Sequence, residues 1–230
     1  MSRNNKPLDF SLVLASSVHD MKNSLGMLLN SLEDVIHSTP LQDEAQRKRF
    51  GTLQYEASRI NTELVQVLTI YRMQNNGLPI HIDQYHVIDV LEEQLARNHM
   101  LFETRCVRIE VDCEAELNWY FDNDLIGSVV HNILVNCARY TKKALRLSAA
   151  VENETLCIEI ADDGEGYPQA MLESEGISED NESLPEGATH LGLFFAREIA
   201  AMHCQKDRCG RIQLENNGPL GGGVFKLYLP

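Results

Sequence analysis

The residues best suited to chemistry begin with His19, which has Asp20 beside it and Asn23 four positions along. On a helix, residues four apart share a face. An imidazole that can act as a nucleophile, a carboxylate and an amide would therefore share one surface. Apolar residues at Leu14, Val18, Met21, Leu25, Leu28, Leu32 and Val35 repeat at alternating spacings of four and three, which predicts a helix with a coiled-coil seam from about Leu8 to His37. His19 follows a seam position and should face solvent. An amphipathic helix that merely carries an exposed histidine fits this stretch alone equally well.

A second constellation lies in His131 to Thr141, where helical spacing sets Asn132, Asn136 and either Arg139 or Tyr140 on one polar stripe. Amide oxygens one turn apart beside an arginine suit Mg²⁺ carried by a nucleotide, because Mg²⁺ is held by few protein oxygens plus substrate phosphates. An exposed polar face is the plain alternative. Asp162-Asp163-Gly164-Glu165-Gly166 directly follows a predicted strand. Its glycines permit close backbone approach and its first aspartate can accept a hydrogen bond from a base amine, although ordinary turns share the pattern. Thr189 to Leu193 opens a further helix whose N-terminal amides favour phosphate. Gly221-Gly222-Gly223 supplies another close-approach turn or a plain hairpin.

The elements that must position these residues fall into two parts. A second seam at Phe50, Leu53, Ala57, Ile60, Leu64, Val67 and Tyr71 follows a break at Ser38 to Leu41 and stops before Asn75-Asn76-Gly77. Residues 1–76 thus predict an antiparallel helical hairpin. One hairpin cannot cover both stripes, so two copies should form a homodimeric four-helix bundle. Residues 77–230 predict a second domain of α+β class. A short strand is expected at Pro79 to Ile82 and a helix from Val87 to Phe102, then strands at Cys106 to Val111 and Trp119 to Phe121. A helix opened by Asp122 follows, then paired strands at Ala144 to Val151 and Thr155 to Ala161, a helix at Leu191 to His203, and strands at Arg211 to Leu214 and Val224 to Leu229. Together they predict an α/β sandwich with helices on one face of a largely antiparallel sheet. Residues 168–190 read as an acidic insertion.

At 230 residues and 43% hydrophobic content the chain can bury a substantial core. A formal charge of −14 argues against nucleic acid or anionic membrane as partner. No stretch approaches the roughly 18 apolar residues of a membrane span, and Met1 to Asp9 lacks a signal-peptide core, so a cytoplasmic protein is expected. Cys106, Cys113, Cys137, Cys157, Cys204 and Cys209 lack CxxC spacing and read as buried reduced thiols. Cys204 and Cys209 near His203 raise a metal or redox reading, with a spacing that matches no common site.

Taken in order, these motifs resemble the sensor histidine kinase family over essentially the whole chain. His19-Asp20-Met21-Lys22-Asn23 resembles its phosphoacceptor box in the HDxKN form. The resemblance implies a dimerisation and phosphotransfer hairpin followed by an ATP-binding domain of the GHKL type. By the same likeness Asn132 and Asn136 would ligate Mg²⁺ and ATP, Arg139 and Tyr140 would contact nucleotide, and Asp162, Gly164 and Gly166 would form the adenine-recognising G1 box. Leu191, Gly192 and Leu193 match the second half of the GLGL signature, and Gly221 to Phe225 resembles the last glycine-rich box. The chain departs from the family at His190, where the first GLGL glycine is usual, and in lacking a phenylalanine-bearing F box before it.

The implied activity is a soluble two-component kinase core that autophosphorylates His19 from Mg-ATP and passes the phosphoryl group to an aspartate of a response regulator receiver domain. Asp20 would orient the His19 ring, and Asn23 would position a water for phosphatase activity. Because His19 lies near the start with no sensor domain before it, the input is expected from a separate sensor protein or from a cytoplasmic condition acting on the bundle itself. Two other readings stay open: a histidine phosphotransferase or phosphatase with a degenerate ATP domain, and a non-enzymatic dimeric scaffold.

Overall fold

The computed structural model describes residues 10–38, 44–76, 78–173 and 190–230. Helices α1 (Phe10–Ser38) and α2 (Glu44–Asn76) form the expected hairpin and pack on each other. The turn expected at Ser38 to Leu41 lies largely outside the described residues, as do residues 1–9 and 174–189. The seam is only partly covered within one chain. Val18 and Ala57 are buried, whereas Met21 and Leu53 remain 54% and 55% exposed, with Leu28, Val35, Ile60 and Val67 also exposed.

The second face of α2 is used differently. Gln54, Thr62, Gln66 and Leu68 are buried, and Tyr55, Ile70 and Met73 pack against the core of the sheet-bearing unit. Helix α2 thus runs from the hairpin onto α3 (Val87–Glu103), α4 (Asn123–Tyr140) and α6 (His190–Met202).

That unit is a two-layer sandwich. The five-stranded sheet has the order β2 (Arg108–Cys113), β4 (Ala144–Glu152), β5 (Thr155–Asp162), β9 (Gly223–Leu229) and β8 (Arg211–Asn216). Three neighbouring pairs are antiparallel and β2–β4 is parallel, because the chain crosses over through α4 between them. Alternation along β4 sends Leu145, Leu147 and Ala149 into the core, where they meet Ile126, Val130, Ile133 and Leu134 of α4 and Phe195 and Ile199 of α6. Each of the buried Leu, Ile, Val and Phe side chains among these stabilises by about 2 kcal/mol through removal from water. The other sheet face is polar: Lys226 lies 2.8 Å from Glu215 and 3.7 Å from Glu159, and the Arg211 guanidinium stacks 3.8 Å from the Tyr228 ring centroid.

Several boundaries differ from the sequence-based expectation. The strand expected at Pro79 to Ile82 falls instead at β1 (Asp83–His86), paired with β3 (Asn118–Phe121) in a separate ribbon. Before it, the His81 N–H is taken by the Asp122 carboxylate at 2.7 Å rather than by a strand. Strand β2 begins at Arg108, since Cys106 takes a left-handed backbone (φ 55°) to reverse the chain after α3. The β4–β5 hairpin turns on Asn153 and Glu154, both with positive φ, the geometry of a tight two-residue turn. Inside the expected insertion, α5 (Gln169–Glu173) forms a short helix.

The cysteine reading needs correction. Cys204 and Cys209 form a disulfide across β6 (Cys204–Gln205) and β7 (Arg208–Cys209), where register makes them direct partners with Cα atoms 4.0 Å apart. Of the others, Cys137 and Cys157 are buried, Cys113 is half-buried and Cys106 is exposed.

Candidate functional site

Helix α4 carries the amide stripe and is fixed at both ends. At its start the Asp122 carboxylate accepts from Leu125 N–H (3.0 Å), and the Asp122 N–H donates to His203 Nε2 (3.0 Å). Since His203 Nδ1 faces the Ile199 carbonyl at 2.8 Å, its proton sits on Nδ1. At its end Thr141 N–H donates to the Cys137 carbonyl, and Asp163 accepts from the N–H groups of Lys142 and Lys143. The amide stripe and the DxGxG turn are thereby joined.

Within α4, Asn132 is buried and donates from Nδ2 to the Gly192 carbonyl at 3.0 Å. Its Oδ1 accepts from Gln66 Nε2 of α2 at 2.6 Å. Asn136 follows one turn later and is half-buried, and Arg139 and Tyr140 are exposed at the helix end with the guanidinium 5.4 Å from the tyrosine ring centroid. The stripe therefore divides: Asn132 holds the start of α6, while Asn136, Arg139 and Tyr140 continue towards the turn after β5.

Asp162 ends β5 and is 7% exposed. Its Oδ1 accepts from Gly164 N–H (2.6 Å) and Gly223 N–H (3.4 Å), and its backbone carbonyl accepts from Gly222 N–H (3.1 Å). Burial pushes this carboxyl above the usual range, and the Gly164 and Gly223 N–H groups partly offset the shift. Gly222 is required by contact: a Cβ there would stand 2.5 Å from the Asp162 carbonyl oxygen and the Gly164 nitrogen. The glycine runs after β5 and before β9 thus interlock around one carboxylate. Asn216 fastens the loop beyond, accepting from Tyr167 N–H and donating to the Tyr167 carbonyl.

Thr141 is a residue that motif reasoning passed over. It is 1% exposed, yet its hydroxyl has no hydrogen-bond partner among the described residues. The preceding carbonyl, Tyr140 O, is 2.7 Å from where a Gly164 Cβ would stand, so the backbone leading into Thr141 passes close to the Asp162–Gly164 turn. An orphaned buried hydroxyl costs about 1–3 kcal/mol unless a ligand or water meets it. Its signal in the sequence was only its place at the end of the Asn132 to Thr141 run.

Leu191, Gly192 and Leu193 form the first turn of α6. Gly192 lets that turn approach α4, since a Cβ would stand 2.8 Å from Asn132 Oδ1. His190 begins the helix; its side chain, like the segment before it, lies outside the described residues. His19, Asp20 and Asn23 are placed together on α1, with Asp20 and Asn23 exposed and the His19 side chain outside the description. Gly166, at φ +80°, lies on the loop between Asp162 and Tyr167.

A buried polar chain also joins α2 to this unit. The His131 ring accepts from Asn98 Nδ2 at Nδ1 (2.9 Å) and faces the Thr62 hydroxyl at Nε2 (3.1 Å); that hydroxyl donates to the Ser58 carbonyl, so the ring proton sits on Nε2. Burial, with the Arg97 charge nearby, lowers the His131 pKa to about 4. The chain borders a cavity of about 440 Å³ between α2, α3 and α4.

These features fit a nucleotide. A buried carboxylate and close glycine approaches gather at the turn after β5, an unmet buried hydroxyl ends the helix tied to it, and the N-terminus of α6 meets the same helix at Asn132. A metal would be held by amide oxygen and substrate phosphates, since no cluster of three His, Cys, Asp or Glu side chains fit for a metal occurs among the described residues. Asn136 suits that role here, whereas the Asn132 oxygen already has a donor. No helix among the described residues is long and apolar enough to cross a membrane.

Residues 121–230 match the histidine kinase-, DNA gyrase B-, and HSP90-like ATPase family. The virulence sensor histidine kinase PhoQ of Salmonella typhimurium is 22% identical over 215 residues, covering 92% of this chain and 42% of that protein. The adaptive-response sensory kinase SasA of Synechocystis is 25% identical over 234 residues, covering 95% of this chain and 58% of that protein. The chain therefore spans about two-fifths to three-fifths of the length of these curated relatives. Among solved structures, the Acinetobacter baumannii histidine kinase AdeS has a TM-score of 0.58 at 21% identity, covering 92% of this chain and 96% of that one. Full-length ShkA in complex with AMPPNP has a TM-score of 0.60 at 18% identity, covering 94% of this chain and 45% of that one.

Proposed function

From the premise that the chain belongs to the sensor histidine kinase family, we propose that it is a histidine kinase core which autophosphorylates His19 from Mg-ATP. The phosphoryl group then passes to an aspartate of a response regulator. The observation that carries this reading is the closing of Gly164, Gly222 and Gly223 around the buried Asp162 carboxylate, at a turn tied to the end of α4. Residues 1–76 serve as the dimerisation and phosphotransfer hairpin and residues 77–230 as the catalytic domain. A second copy of the hairpin would cover Met21, Leu28, Val35, Leu53, Ile60 and Val67, completing a four-helix bundle.

In the nucleotide site the Asp162 carboxylate accepts from the exocyclic amine of adenine, and Thr141 satisfies its hydroxyl at the same edge. Arg139 and Tyr140 flank the nucleotide, Gly164 and Gly166 admit it, and the Leu191, Gly192 and Leu193 turn presents helix N–H groups to phosphate. Asn136, with Asn132 as the further candidate, would hold Mg²⁺ together with the phosphates, and the ion would supply neutralisation of their charge. Imidazole is largely neutral at cellular pH, so His19 has a lone pair for in-line attack on the γ-phosphorus. Asp20 orients the ring and stabilises the charge developing on it. Asn23, one turn along, orients a water against the regulator's acyl phosphate in the reverse, phosphatase direction.

The test is incubation with labelled Mg-ATP. Wild type should acquire an acid-labile, base-stable phosphate, and His19→Gln should acquire none. Labelling that persists in the variant would remove His19 from the mechanism.

A further inference from the structure

Asn132 is the point where the hairpin meets the nucleotide unit. It is 3% exposed and both of its polar ends are engaged, Nδ2 with the Gly192 carbonyl and Oδ1 with Gln66 Nε2. A Mg²⁺ ion takes oxygen ligands at about 2.1 Å in octahedral geometry and keeps several waters. An amide oxygen this enclosed, with a donor already against it, gives the ion no approach. In this conformation Asn132 cannot be a metal ligand.

The partner that encloses it is poorly rewarded for doing so. Gln66 is 2% exposed and its own Oε1 has no hydrogen-bond partner among the described residues; the same holds for Gln54 Oε1 and Asn61 Oδ1 on the same helix. A buried amide with only its donor half satisfied stabilises docking little and is regained by water on release. The contacts beside it, Thr62 to His131 to Asn98, are polar as well. Tyr55, Ile70 and Met73 of the same helix do pack on the core, so release exposes that apolar surface, and the polar centre of the contact does little to oppose it.

We propose that Gln66 is a latch on Asn132: while α2 is docked it occupies the amide oxygen that a metal-loaded nucleotide would claim, so docking and coordination at Asn132 exclude one another. The proposal rests on the nucleotide reading above. Linkage makes the coupling reciprocal. Whatever releases α2 raises the affinity for Mg-nucleotide, and Mg-nucleotide in turn favours release. Nucleotide without metal is indifferent to the latch, because only the metal needs the Asn132 oxygen.

Calorimetry with AMPPNP, in Mg²⁺ and separately in EDTA, tests this on wild type and on Gln66→Met, which keeps side-chain size and removes the donor. Loss of one such hydrogen bond should tighten binding about 3- to 10-fold in Mg²⁺ and leave affinity in EDTA unchanged. Gln66→Glu, which cannot donate and places a carboxylate against the Asn132 oxygen, should shift affinity the same way if Gln66→Met folds poorly. In an Asn132→Ala background the effect of Gln66→Met should vanish. Hydrogen exchange across residues 54–70 supplies a second readout, rising with AMPPNP and Mg²⁺ and not with AMPPNP in EDTA. Unchanged affinity in Mg²⁺, or an equal change in both conditions, overturns the latch. No binding of AMPPNP by any variant in either condition overturns the nucleotide reading itself, and the latch falls with it.

Discussion

The carboxylate of Asp163 accepts the backbone N–H of Lys142 at 2.8 Å and that of Lys143 at 3.0 Å, tying the end of α4 to the end of β5. Desolvation pushes this carboxyl up, and the N–H groups of Lys143, Ala144 and Lys142 outweigh it, holding the group below its ordinary value. A depressed carboxyl contributes stability above its unfolded pKa and loses it as pH falls through the folded one. Asp163→Ala should cost about 2 kcal/mol at neutral pH, the scale of hydrogen bonds to a charged group. Urea unfolding checks this. The gap between wild type and variant should close as the pH is lowered below about 4.

Asp162, next in the chain, has the opposite sign. Its carboxyl is raised by burial, so its contribution to stability is fully present below the unfolded pKa and is lost as pH rises through the folded one. At neutral pH the buried charge is a cost that the site carries for its ligand. Asp162→Asn keeps an oxygen for Gly164 and Gly223, removes the charge, and turns an acceptor towards the base into an ambiguous amide. Thermal unfolding should show a higher Tm. AMPPNP affinity by calorimetry should fall at least tenfold, on the scale of about 1.4 kcal/mol for one charge-assisted hydrogen bond. A variant that is both less stable and unchanged in affinity would refute this assignment.

His131 sets the acid limit of the α2 contact. Its folded pKa of about 4 lies below the ordinary 6.5, so the unfolded chain binds more protons between these values and stability falls as pH is lowered through that window. The loss for this largely enclosed ring is on the order of 3 kcal/mol. Protonation would also place a donor on Nδ1 against the Asn98 amide donor. His131→Gln should flatten the dependence of the urea midpoint on pH between about 6.5 and 4. The residual slope would come from His203, which burial also lowers.

Much of the site was legible because its parts are local. The helix opened by Asp122, the turn after β5 and the first turn of α6 each carry a capping residue, a glycine or a period that short-range physics fixes. Strand edges were less legible. Cys106 has no local feature that announces a positive φ, and the β1–β3 pairing joins segments whose partners lie more than thirty residues apart. The Cys204–Cys209 bridge arises from hairpin register, which cysteine spacing alone does not reveal.

The sequence by itself determined the heptad hairpin, the α+β unit behind it, and the His19, Asn136 and Asp162 motifs, because each is written in periodicity or in residues adjacent along the chain. Only the tertiary structure decided that the two asparagines of α4 part company. One turn of helix separates them, but the approach of Gly192 and the docking of Gln66 enclose Asn132 and leave Asn136 half-buried. It likewise decided that Thr141 carries an unmet hydroxyl, since burial and partnering depend on what the chain brings together from distant positions and no local pattern encodes that.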